Sequence, residues 1–294
     1  MPDIIYKYDQ LTARKKYEKK PHAHVKDMHW GQRKLLIGEV YFLTKYFDPT
    51  KIILYVGAAD GYHIKFMAEV MFPKNKFILY DPAHFKIKAT QQIEIHKAFF
   101  TDADAKKYAA NGANILFISD IRNLDVQKAR KADNVHMFDD IVVEDLTRQR
   151  KWVEIIRPYR SFLKFRNRYD PGKSEYFDGP IYLQPWAPVS TETRMIVRKQ
   201  DIDKMAYYDN AEFDEKLYYF NTQIRPKPND AMKSVLDKLN IINCWDTNME
   251  LLILKKYLKY VTKNYNEQNL IKLFTDITAY LTAENRAHLS QLKK

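Results

Sequence analysis

Two acids and two lysines stand at the ends of apolar runs in this chain. Asp120 closes the run Ile115-Leu116-Phe117-Ile118-Ser119, and Lys164 lies in Phe162-Leu163-Lys164-Phe165. Glu192 precedes Thr193–Val197, and Lys34 opens the apolar stretch that ends at Phe47. Read as strands and one helix, these runs belong to an open α/β sheet, where reacting groups gather at the carboxyl ends of strands. Carboxylates and amines are the types that move protons and orient partners in group transfer. Taken singly, each has a bland explanation: Asp120 as a helix cap, Lys34 and Lys164 as solvated groups, Glu192 as a surface ion-pair partner. Periodicity alone does not bring the four together.

The binding half of such chemistry is written in residues 52–64. The apolar run Ile52-Ile53-Leu54-Tyr55-Val56 enters a turn with Gly57 and Gly61, and an amphipathic stretch follows. That pattern is strand, tight loop and helix N-terminus, where an open α/β sheet holds a nucleotide-like ligand; it also occurs as an ordinary strand-to-helix turn. The chain owns only 7 glycines, and two of them are spent here. A second run, Phe77-Ile78-Leu79-Tyr80, ends in Asp81, twenty residues after Gly61, where an acid would hydrogen-bond a ribose diol. One charge narrows the ligand. A dinucleotide lays its pyrophosphate on the helix N-terminus, where Asp60 would oppose it, and the third glycine of a dinucleotide fingerprint is absent. S-adenosylmethionine has no phosphate and carries an ammonium and a sulfonium. The loop therefore favours methyl transfer over hydride transfer.

The elements that must position these groups follow from composition and pattern. A chain of 294 residues, 46% of them hydrophobic, holds one large α/β core or one core plus a small appendage. No apolar run approaches the roughly 20 residues of a membrane span, and Met1–Lys20 is too polar to read as a secretory signal. Cys244 is the single cysteine, so no intramolecular disulfide can form, which fits a reducing compartment; it reads as a small packing residue. The formal charge of +12, from 49 basic against 37 acidic residues, attracts polyanions, nucleic acid first. Lys, Asn, Ile and Tyr have A/T-rich codons, so genomic bias is a second source of the lysine surplus. The 21 tyrosines add stacking surface for bases as well as packing surface.

Residues 1–30 carry scattered charge, including Arg14-Lys15-Lys16, and read as an arm. His22, His24 and His29 lie there without a partner acid or cysteine, so no metal site is expected. Residues 34–47 read as a helix ahead of the first strand. Strands at 52–56, 77–80, 93–95, 115–118 and 162–165 alternate with helices at 62–71 and 136–157, and 181–184 and 193–197 close the sheet. The expected class is α/β, a mostly parallel sheet with helices on both faces. Pro226 and Pro228 mark a linker. Beyond it, residues 251–261 form one helix, and Leu270, Leu273, Phe274, Ile277, Tyr280 and Leu281 stripe another. The division is an arm at 1–30, a sheet domain at 31–225 and a helical C-terminal extension at 226–294.

Five segments, Gly31–Glu39, Tyr55–Ile64, Ile118–Arg122, Phe162–Arg166 and Leu183–Pro188, come in the order and with the spacing of a known family. They resemble the poxvirus-type cap-specific mRNA 2′-O-methyltransferase, which doubles as the small, regulatory subunit of poly(A) polymerase. The resemblance covers Gly31 to Arg225. It implies a Rossmann-like S-adenosylmethionine-dependent methyltransferase fold. The implied reaction moves a methyl group to the ribose 2′-OH of the first transcribed nucleotide of m7G-capped RNA. The family's Lys-Asp-Lys-Glu tetrad falls on Lys34, Asp120, Lys164 and Glu192. In it Lys164 is the base for the hydroxyl proton, Lys34 supplies a nearby cation, and Asp120 and Glu192 orient the lysines and the sugar. An ammonium ordinarily titrates at about 10.4, so such a base needs burial or a neighbouring cation.

Cofactor contacts carry over to Gln32, Tyr55, Gly57, Gly61, Asp81 and Asp120, with Phe100 near the adenine. The family's arginine two residues after the ribose acid is Ala83 here, which passes adenine recognition to other groups such as His84. The cationic N7-methylguanine would stack between two aromatic rings. Tyr169 stands where the family has a stacking phenylalanine, and Tyr17 of the arm is the candidate second ring. Asp214 falls on the family's second guanine-edge acid, and Asp170 lies one position from the first. Arg166 and Ser190 resemble residues lining the RNA; the family tyrosine before Ser190 has no match. The implied partners are m7G-capped mRNA and a poly(A) polymerase catalytic subunit, with no membrane. The implied setting is the cytoplasmic transcription site of a large DNA virus, with packaging in the virion. A rival reading keeps the fold as a non-catalytic RNA-binding subunit of a poly(A) polymerase; the intact tetrad argues against lost chemistry and leaves a second role open. Methylation of ribosomal RNA or a small molecule is disfavoured by the two stacking positions.

Overall fold

A computed structural model describes residues 4–18, 30–58, 60–122 and 135–282; His22, His24 and His29 lie outside them. Internal contacts group Asp48–Tyr182 with Thr191–Glu215 into a sheet unit, and Met1–Phe47 with Leu183–Ser190 and Lys216–Lys294 into a helical unit. The sheet unit contains β1 (Ile52–Val56), β2 (Lys76–Tyr80), β3 (Ile93–His96), β4 (Ile115–Ser119), β5 (Arg160–Phe165), β6 (Lys173–Phe177), β7 (Ile181–Tyr182), β8 (Thr193–Arg198) and β9 (Met205–Asp209). Seven of these make one sheet in the order β3-β2-β1-β4-β5-β8-β7, and β6 pairs with β9 in a second. From β3 to β5 every pairing is parallel; β8 runs antiparallel to both β5 and β7, and β7 forms that edge.

The expected α/β class with a mostly parallel sheet is what the structure has. Residues 53–56, 77–80 and 115–119 are buried without interruption. Parallel strands covered on both faces lose the in–out alternation, which is why these segments read as continuous apolar runs. The covering helices are α2 (Tyr62–Phe66, continued by a π segment Met67–Met71), α3 (Asp102–Ala109) and α4 (Val135–Ile156). Helix α3 starts at a reciprocal cap: the Thr101 hydroxyl accepts from Asp104 N, and the Asp104 carboxylate accepts from Thr101 N. The closing strand expected at 181–184 pairs only at Ile181 and Tyr182. Pro185 has no N–H for a ladder, and Leu183 N donates to Tyr6 O instead, at 3.0 Å.

The helical unit contains α1 (Gly31–Lys45), α6 (Lys233–Leu239), α7 (Trp245–Tyr260) and α8 (Glu267–Thr282), while α5 (Asn210–Tyr219) begins in the sheet unit. Its core is built on a charge. Arg33 on α1 pairs with Glu250 on α7 at 2.8 Å, and neither side chain is exposed at all. Arg33 also donates to Thr278 Oγ1, and Trp186 Nε1 donates to Glu250 Oε2. A second buried pair, Arg225 with Asp246, ties the segment around Pro226 to the start of α7. Helix α7 begins six residues ahead of the apolar stripe, because Cys244 and Thr247 cap it. Burial pushes the Cys244 thiol up, leaving a half-buried cap residue. Among the described residues no helix is long and apolar enough to cross a membrane.

Candidate active site

Three strand ends meet at Gly57. Its φ is +82°, and a Cβ there would lie 2.8 Å from both Asp120 C and Ile121 N. Only glycine lets β1 pass so close to the end of β4. The register is fixed by Gly57 N donating to Tyr80 O and Asp120 N donating to Val56 O, both at 2.9 Å. Gly61 opens α2 in the left-handed region at φ +70°, where a Cβ would press on Ile87. Between them the Asp60 carboxylate accepts from Tyr62 N at 3.1 Å. The amide at which a pyrophosphate would dock therefore already faces a carboxylate, which supports excluding a dinucleotide.

A cavity of about 1210 Å³ opens beside this junction. Gly57, Asp81, Phe100, Asp120 and Lys164 all line it, so five of the expected site residues share one wall. Asp81 is buried at the tip of β2 on the cavity wall, and its Oδ1 accepts from Ala83 N at 2.8 Å. Phe100 stands edge-on to Trp152 at 5.1 Å and to Tyr80 at 4.9 Å, forming an aromatic corner. Tyr55 and Gly61 are not in the lining: Tyr55 is fully buried with its ring edge-on to His63, so they shape the loop from behind. Ala83 lines the cavity and His84 does not.

At the inner end a charge cluster joins β4, β5 and β8. Lys164 Nζ lies 3.0 Å from Asp120 Oδ1 and 3.7 Å from Glu192 Oε2. Each carboxylate also holds an arginine: Arg194 is 2.6 Å from Asp120, and Arg122 is 3.0 Å from Glu192. Lys164 and Arg194 are direct cross-strand partners, an arrangement that repels unless an anion bridges it. Asp120 is that anion. Burial draws the Arg194 guanidinium down, but the carboxylates of Asp120 and Glu192 outweigh it and hold it above its ordinary range. Among the described residues no cluster of potential metal ligands occurs.

A second constellation follows β5. The Arg166 guanidinium lies 4.2 Å from the centre of the Tyr169 ring, which is 44% exposed. Asp139, on α4 and fully buried, accepts from Arg166 at 2.5 Å and from the backbone N–H groups of Tyr169 and Asp170. Asp170 itself pairs with Arg168 at 3.1 Å. Asp214 is half-buried; desolvation, then Glu215, push its carboxyl up against the pull of Arg166. The remaining expected residues belong to the helical unit. Gln32 and Lys34 occupy the first turn of α1. Tyr17 is 64% exposed, edge-on to Tyr218 at 5.3 Å, and Ser190 O accepts from Asn221. The sequence reading missed Arg122, Arg194 and Asp139. Arg194, a charge inside an otherwise apolar strand, was the one visible signal.

The model of a family described as "Poly A polymerase regulatory subunit" matches residues 1–282. The chain belongs to that family. A cap-specific mRNA (nucleoside-2′-O-)-methyltransferase of Fowlpox virus (strain NVSL) is 29% identical over 245 residues, 75% of this chain and 76% of that protein. The protein of the same name from Myxoma virus (strain Lausanne) is 27% identical over 220 residues, 67% of this chain and 62% of its own length. The family's methyltransferase homologues thus extend across most of this chain. A cyclopropane-fatty-acyl-phospholipid synthase-like protein from Lactobacillus casei overlaps 56% of this chain and 57% of its own at 11% identity and a TM-score of 0.26, too low to bear on the fold.

Proposed function

We propose that this poly(A) polymerase regulatory subunit family member is an S-adenosylmethionine-dependent cap-specific mRNA 2′-O-methyltransferase. The observation that carries the proposal is the approach of Lys164 to Asp120 and Glu192 on the wall of the cavity that Gly57 and Asp81 line. The residues fit the cofactor: a glycine cradle a Cβ would fill, an acid at the tip of β2 on the cavity wall, an aromatic corner, and a carboxylate where a phosphate would otherwise sit. When bound there, S-adenosylmethionine supplies an electrophilic methyl group.

The chain's own part is proton transfer and orientation. Lys164 takes the 2′-OH proton, Asp120 and Glu192 aim its amine, and Lys34 completes the tetrad carried over by resemblance. Holding the ribose in line with the methyl group supplies much of the remaining acceleration. Tyr169, braced by Arg166 and Asp139, would stack the methylated guanine with Tyr17 as the second ring, Asp214 and Asp170 near its amino edge, and Arg166 and Ser190 along the RNA. The family description favours a second role beside this one, as regulatory partner of a poly(A) polymerase catalytic subunit. A cytoplasmic site of viral transcription, with packaging in the virion, is the setting that the family resemblance alone implies.

The test is methyl transfer from labelled S-adenosylmethionine to short capped RNA. Incorporation should require the N7-methylated cap, stop when the first nucleotide already carries a 2′-O-methyl, and fall on adding free N7-methylguanosine nucleotide. Folded, cofactor-binding protein that transfers nothing would leave the regulatory role alone standing.

A further inference from the structure

The helical unit holds a cavity of about 520 Å³: Tyr6, Tyr41, Lys45, Ile253, Lys256 and Tyr260 form most of its wall, and among the described residues no carboxylate does. Its size falls within the roughly 300–1,000 Å³ of small-ligand sites. The wall is fastened from several sides. Helices α1 and α7 pack on each other, and the N-terminal segment is pinned by Trp245 Nε1 donating to Ile5 O at 2.7 Å and Leu183 N donating to Tyr6 O at 3.0 Å. Tyr260 is 66% exposed, Ile253 gives an apolar floor, and Tyr6 and Tyr41 tilt toward each other with ring centres 6.4 Å apart.

The cations lie on the rings. Lys45 Nζ is 5.7 Å from the centre of Tyr41, Lys256 Nζ is 5.8 Å from that of Tyr6, and Lys7 Nζ is 5.5 Å from the same ring. Cation–π contacts at exposed positions are weak. A phosphate competes well for such ammonium groups, and a base competes well for the ring faces they leave. We propose that this cavity is a second RNA site, one that takes a nucleotide of single-stranded RNA with its base against the tyrosines and its phosphate between Lys45 and Lys256. Flat aromatic surfaces interleaved with lysines are how proteins hold single strands without reading sequence, and the chain's surplus of twelve positive charges serves the same end. A protein partner would instead need a broad patch of about 800 Å² per side. The site requires neither a cap nor methyl transfer, so it stands independently of the catalytic reading.

The experiment measures binding of an uncapped, 5′-hydroxyl single-stranded 12-mer to the full chain, with saturating N7-methylguanosine nucleotide present to fill the cap pocket. Tyr260→Ala should weaken binding about tenfold, and Tyr260→Phe should restore it. Lys45→Gln with Lys256→Gln should flatten the slope of log affinity against log salt by about 1.4, as two lost phosphate contacts on a single strand require. Thermal unfolding should not move, since all three side chains are exposed. Unchanged affinity and slope in folded variants overturn the proposal. So does displacement of the RNA by polyglutamate but not by unlabelled RNA, which would make the cavity a protein-docking site.

Discussion

Lys164→Met separates catalysis from stability at the charge cluster. The substitution removes the amine and keeps most of the stem's bulk. Asp120 keeps Arg194 at 2.6 Å and Glu192 keeps Arg122 at 3.0 Å, so neither carboxylate is orphaned. The pairs are largely buried, so the loss is on the order of 1–3 kcal/mol, below the roughly 3–5 kcal/mol of an orphaned buried charge. Loss of a general base costs about 10²–10⁴ in rate, or about 2.7–5.4 kcal/mol of barrier. Asp120→Ala should lose stability as well as rate. It strips the carboxylate from Arg194, whose side chain is only 2% exposed, and an uncompensated buried charge costs about 3–5 kcal/mol. Single-turnover methyl transfer to a short capped RNA, measured beside thermal unfolding, reads both quantities. A Lys164→Met protein within tenfold of the wild-type rate would refute the assignment of the base. One that melts as low as Asp120→Ala would refute the sharing of carboxylates.

Gly57→Ala forces a side chain into φ +82° and onto the backbone of Asp120, so calorimetry should find S-adenosylmethionine binding abolished in a folded protein. Asp214 has a raised folded pKa, so its contribution favours folding below the ordinary carboxyl range and is lost as pH climbs through the raised value. Asp214→Asn should therefore raise the melting temperature at pH 7, leave it unchanged near pH 3, and weaken binding of N7-methylguanosine nucleotide. Arg33→Ala leaves Glu250 buried without its cation and should cost about 3–5 kcal/mol in urea unfolding, much of it recovered by Arg33→Met with Glu250→Gln. Arg122→Gln, at a partly exposed position, removes the 3.0 Å partner of Glu192 and should lower the single-turnover rate of methyl transfer while leaving the melt nearly unchanged.

The parts of the fold that showed in the sequence are those whose signal is local. Residues 53–56, 77–80 and 115–119 are covered on both faces, so burial alone writes them as apolar runs. Gly57 and Gly61 showed because both take a positive φ that favours glycine, and at Gly57 a Cβ would also strike the backbone of Asp120. Strands β6 and β9 did not show, since Lys173-Ser174-Glu175 and much of β9 face outward and carry mixed residues. The start of α7 was hidden for another reason: it is set by a cap, not by a stripe. Within the candidate site, positions at strand ends were legible and their partners were not. Asp139 reads as a helix-surface acid, and nothing in its neighbourhood announces that it takes three hydrogen bonds from the segment after β5.

A lysine flanked by two carboxylates is a poor base in isolation, because both anions favour its charged form. The geometry answers this with the two arginines. A guanidinium does not give up its proton in a protein, so Arg122 and Arg194 are fixed charges, and each claims one of the two carboxylates at a shorter distance than Lys164 does. Those two fixed charges stay beside Asp120 and Glu192 whichever state Lys164 is in. Loss of the Lys164 proton thus does not leave two bare anions behind. The carboxylates can then keep their orienting role toward the amine, because the arginines have taken over their charge.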